Sequence, residues 1–136
     1  MLWSIGPTSW LFFGDDRDEI ELESTRRTLN DAGGALFDIS ASYVAWSVTG
    51  AQAPRVLNRL CPLDLDRRSF ATGTCAQSVL GHINATFYKH DETPTFVVLV
   101  ARSFALDAWT ALETAATTDG YDVGATIALS GLTKII

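Results

Sequence analysis

The sequence predicts an α+β fold, a mainly antiparallel sheet with helices on one face arranged as split βαβ units. Three observations predict it. Apolar residues alternate at period two through Phe37 and Ile39, through Val44, Trp46 and Val48, and through Ile83, Ala85 and Phe87. One run, Phe96-Val97-Val98-Leu99-Val100, is apolar on both faces and reads as a central strand. Helical spacing separates these extended pieces, at Ala53, Val56, Leu57 and Leu60 and again at Ala105, Trp109, Leu112 and Ala116. With 136 residues the chain is long enough for one domain, or two small halves sharing a core, and is read as a single domain over 1–136.

Taken in order, Trp10-Leu11-Phe12-Phe13 followed by Gly14-Asp15-Asp16 reads as a buried strand and its exit. Asp16 stands three residues before Glu19, an acidic capping box for a helix over about 17–32. Ile20, Leu29 and Ala32 form a thin apolar stripe, so that helix faces water, with Glu23 placed to pair with Arg27 and Gly33-Gly34 as its stop. Two strands are expected within 35–50, and Gly50 marks the switch to a helix that tolerates Pro54 in its first turn and ends at Cys61-Pro62. Residues 75–88 read as one long extended stretch with a bulge or bend at Gly81, and 89–94 as a polar hairpin loop. Ser103 is the expected N-cap of the last helix, Gly120 its end, and 121–129 a final strand.

Composition excludes several classes. The net charge is −6, and no basic stripe exists to neutralise phosphates, so nucleic acid is not an expected partner. The longest apolar run, 95–101, is far short of the ~20 residues of a membrane helix, and residues 1–4 lack the basic and apolar parts of a signal peptide. The protein is therefore read as cytoplasmic, with Cys61 and Cys75 reduced. Apolar residues make up 47% and charged residues 19% of the chain; a chain so lightly charged is expected to cover part of its outside with another protein.

No catalytic, cofactor-binding or metal-ligating constellation is read from the sequence. Gly33-Gly34 is a lone pair rather than a phosphate-binding fingerprint, and Cys61, Cys75, His82 and His90 lack ligand-like spacing. Asp64 and Asp66 would suit a divalent cation or an acid and base pair; the stronger reading is that they cap a turn and meet Arg67 or Arg68. Cys61 as a nucleophile is set against Cys61 as a small buried apolar residue. An anion held at Arg102-Ser103 is set against a capping Ser103 and an Arg102 paired with a local carboxylate. Of Trp3, Trp10, Trp46 and Trp109, two or three are expected in the core and one at an interface.

The segments Tyr43-Val44-Ala45-Trp46-Ser47-Val48-Thr49-Gly50, Ala53-Pro54-Arg55-Val56-Leu57, Cys61-Pro62-Leu63-Asp64-Leu65 and Arg102-Ser103-Phe104-Ala105, with Phe70, Gly73, Leu80-Gly81 and Trp109, resemble the gamma subunit of heterotetrameric sarcosine oxidases. The resemblance covers about 5–116, while the tail 119–136 has no matching pattern, and the chain looks N-terminally shortened relative to that family. It implies a ferredoxin-like, folate-binding-like domain similar to the N-terminal part of aminomethyltransferases, without a catalytic centre of its own. Such a subunit packs against alpha, in a complex with beta and delta whose other subunits carry FAD, FMN, NAD, zinc and tetrahydrofolate. The complex serves sarcosine catabolism, oxidising the N-methyl group of sarcosine or a related amine and passing the one-carbon unit to tetrahydrofolate. The alternative is a stand-alone folate-binding or one-carbon transfer module, with Asp38, Asp64 or Asp66 as the carboxylate facing a pterin. A homo-oligomer of the isolated chain is also compatible with the sequence. The expected interface residues are Cys61, Pro62, Leu63, Leu65, Phe70 and Phe104.

Overall fold

The computed structural model describes residues 2–14, 19–124 and 134–135, which fall into two compact units, Met1–Ala41 with Gly124–Ile136, and Ser42–Val123. In the first unit, β1 (Leu2–Gly6) and β2 (Ser9–Gly14) form an antiparallel hairpin, and β7 (Lys134–Ile135) pairs with β2. Period-two geometry puts Trp3, Leu11 and Phe13 on one face, all buried, with the Trp3 and Phe13 rings 4.0 Å apart between centroids. Leu2 and Trp10 lie on the other face and are exposed. β1 has no counterpart in the sequence reading, because Ser4 and Gly6 break its apolar pattern and its pairing comes from the aromatic run of β2.

Helix α1 (Glu19–Asp31) is largely exposed, as its thin stripe requires, and Glu23 pairs with both Arg26 (3.2 Å) and Arg27 (3.3 Å). It ends in a Schellman arrangement: Gly33 adopts φ +82°, its N–H donates to the Asn30 carbonyl, and the Gly34 N–H donates to that of Leu29. The expected Asp16–Glu19 capping box and the first residues of the predicted helix lie outside the described residues. The strand expected around Phe37 and Ile39 does not form. The Asp38 carboxylate accepts from both the N–H and the hydroxyl of Ser40 (2.9 and 2.7 Å), a local turn that competes with a ladder, and Phe37 is exposed.

The second unit contains β3 (Tyr43–Thr49), α2 (Ala53–Asn58), β4 (Cys75–Leu80), β5 (Ile83–Asp91), β6 (Thr95–Ala101) and α3 (Ala105–Ala116). Its four strands lie in the order β3-β6-β5-β4 and every pair is antiparallel. The predicted α+β class with a mainly antiparallel sheet is borne out. The β3–α2–β4 connection runs from one edge of the sheet to the other, with β6 and β5 between. Phe96, Val98 and Val100 of β6 and Ile83, Ala85 and Phe87 of β5 pack against Ala53 and Leu57 of α2 and Ala108 and Leu112 of α3, placing both helices on one face. Val97 and Leu99 point the opposite way and are buried as well, so β6 is the fully covered strand its composition predicts.

Three details depart from expectation. Residues 75–88 are not one strand: Gly81 takes φ +65° and opens a two-residue turn between Leu80 and Ile83, a conformation that suits glycine, and the bulge falls instead between Lys89 and Asp91. Helix α3 starts after a 3-10 turn, Arg102–Phe104, so Ser103 lies inside that turn and is not the cap of the helix. The buried stripe of α3 is Ala108, Leu112 and Ala115 rather than Ala105 and Ala116, while Trp109 is half-buried against Trp46, at 4.9 Å between ring centroids. Residues 121–124 carry no regular structure, and the rest of the expected last strand lies outside the described residues.

Phe87 is fully buried between the helices and the sheet. Its replacement by alanine removes most of a ring from a filled core, and the expected loss is about 3–5 kcal/mol in urea unfolding of the full chain. A loss below about 1 kcal/mol would show that this face is not the core.

Candidate functional site

The segments that follow α2 and precede α3 carry the expected interface residues. The loop after α2 is a built structure held by its own polar side chains. The Asn58 side-chain Oδ1 accepts from the Leu65 N–H (3.3 Å) and the Cys61 sulfur from the Leu63 N–H (3.4 Å). Asp64 accepts from the Asp66 N–H (3.0 Å) and the Ser69 hydroxyl (2.6 Å), and Asp66 from the Arg68 N–H (3.0 Å). The hydrogen bond from Ser69, followed by that from the Asp66 amide, holds the Asp64 carboxyl below the ordinary carboxylate range. These two carboxylates therefore cap the turn, as their stronger reading expects, and Arg67 reaches Glu92 (4.0 Å) instead of either.

Leu65 and Phe70 close the helix-packed core from the side of this loop, and Cys61 joins the same cluster. All three are buried within the chain: Cys61 is 5% exposed, Leu65 0% and Phe70 5%. This corrects the interface expectation for Cys61, Leu65 and Phe70: side chains already sealed in their own core have no surface left to offer. Replacing Leu65 and Phe70 by serine would test folding rather than docking. Pro62 is exposed, Leu63 is half-buried against the core cluster, and Phe104 is 44% exposed at the start of α3. Leu106, two residues further on, is the most exposed large apolar residue among those described, at 75%, and sequence reading passed over it. Of the four tryptophans, Trp3 is buried, Trp46 and Trp109 are half-buried together, and Trp10 is exposed.

Two buried charges also escaped sequence reading. Lys89 is 1% exposed, and its ammonium donates to the Phe70 carbonyl (3.1 Å) with Glu92 at 3.7 Å, tying the loop to β5. Glu92 in turn accepts from the Thr72 hydroxyl (2.5 Å), the largest influence holding its carboxyl below the usual range. Lys89 continues the series Ile83, Ala85, Phe87 on the inward face, a period that pointed to it. Asp119, whose side chain is 8% exposed, receives Arg55 (3.3 Å) and Arg59 (2.5 Å), and Arg59 also donates to the Ala115 carbonyl, clamping α2 to the end of α3.

Beside this clamp lies an open cleft of about 450 Å3, lined by Arg59, Leu60, His82 and Asp107 and by the Thr110 to Thr114 side of α3. The Thr110 and Thr114 hydroxyls donate to carbonyls of their own helix, at 3.0 and 2.7 Å. Among the described residues no group of three or more His, Cys, Asp or Glu is placed to hold a metal ion. A pterin would need a buried, unengaged carboxylate. Asp38, Asp64 and Asp66 are exposed and bound to their own turns, so they do not fit that group.

No protein-family model matches the chain. It is similar to the sarcosine oxidase subunit gamma of Corynebacterium sp. (strain P-1), 28% identical over 98 residues, covering 72% of this chain and 47% of that one. It is similar also to the sarcosine oxidase subunit gamma of Arthrobacter sp., 26% identical over 98 residues with the same coverage. The chain spans about half the length of these curated relatives. A chain of the heterotetrameric sarcosine oxidase of Corynebacterium sp. U-96, solved in complex with pyrrole 2-carboxylate, superposes with a TM-score of 0.72 at 19% identity, over 90% of this chain and 67% of that chain. The resemblance to gamma subunits read from the sequence is borne out, and the shared fold with it.

Both cysteines are free, and burial pushes the Cys75 thiol up to about 11 from 9.0. The folded chain thus holds this proton longer than the unfolded one, and the associated stabilisation is present below pH 9 and lost as pH rises toward 11. Alkylation at pH 8 should label Cys75 at least about tenfold more slowly in the native chain than in urea, read by peptide mass spectrometry. Equal rates would contradict the burial.

Proposed function

We propose that this chain is a gamma-type, non-catalytic subunit of a sarcosine-oxidising heterotetramer, acting by packing against the alpha subunit in the cytoplasm. The observation that supports this best is the match over 98 residues to two relatives named sarcosine oxidase subunit gamma, with the fold found in a heterotetrameric sarcosine oxidase. The chemistry, removal of the N-methyl group of sarcosine or a related amine and passage of the one-carbon unit to tetrahydrofolate, then belongs to the other subunits. FAD, FMN, NAD, zinc and tetrahydrofolate are expected on alpha, beta and delta. This chain contributes surface: Pro62, the outward part of Leu63, and Phe104 with Leu106 at the start of α3. Apolar side chains left in water at such a site are the material of an interface core. Among the described residues no helix is long and apolar enough to cross a membrane.

Affinity purification of the tagged full chain from its source cell should bring down larger flavin-containing subunits. Joint replacement of Phe104 and Leu106 by serine should reduce that recovery at least about tenfold while leaving the circular dichroism spectrum unchanged. Sarcosine-dependent peroxide production by the isolated chain would overturn the proposal, and so would recovery without any flavoprotein.

A further inference from the structure

We draw no further inference here: the strongest candidate, the open cleft between the end of α2, the turn holding His82 and the Thr110 to Thr114 side of α3, has its Arg59 guanidinium engaged by Asp119 and the Ala115 carbonyl and its threonine hydroxyls bonded within their own helix, and nothing in the structure shows what covers it.

Discussion

Phe96, Val97, Val98, Leu99 and Val100 must leave water on both sides of their strand at once, and the second unit is organised by that demand. A strand buried on both faces cannot be an edge, since its amides and carbonyls must also be paired on both sides. β3 and β5 supply the two ladders, β3 in unbroken register with Thr95 to Ala101 and β5 with Thr95 to Val100 across the bulge between Lys89 and Asp91. The inward face is then completed by α2 and α3, and by Leu65 and Phe70 from the loop between α2 and β4. That loop holds its shape through Asn58, Asp64, Asp66 and the buried ammonium of Lys89. A buried lysine is costly unless its hydrogen bonds are met, so the Phe70 carbonyl and Glu92 are part of the fold rather than decoration.

What was legible in the sequence follows from this. The run at 96–100 announced a central strand because composition alone settles burial on both faces. Helix α2 was legible from its spacing and from Pro54 in its first turn. The misses have local physical causes. At Asp38 a side-chain turn defeated an apparent alternation, and at Gly81 one positive φ turned an expected bend into a hairpin. The three loop residues assigned to an interface were apolar enough for one, but residue type does not tell whether a core or a partner covers them. Arg55, Arg59 and Asp119 lie far apart in sequence, and nothing in their spacing announces that they meet.

The functional reading changes accordingly. Of the two segments named for an interface, the loop after α2 buries Cys61, Leu65 and Phe70 in the chain's own core, while at the start of α3 Phe104 and Leu106 stand in water. The carboxylates nominated for a pterin, Asp38, Asp64 and Asp66, are engaged in turns of their own. The similarity to gamma subunits of sarcosine oxidase and the exposed apolar residues at the start of α3 are independent observations, and the proposed subunit role draws on both.

Hydrogen exchange of the full chain, free and within the assembly recovered from the source cell, tests this account most directly. The amides of 102–108 should exchange more slowly in the assembly than in the free chain, while those of β6 are protected equally in both. Unchanged exchange at the start of α3, with new protection confined to other surfaces, would contradict it.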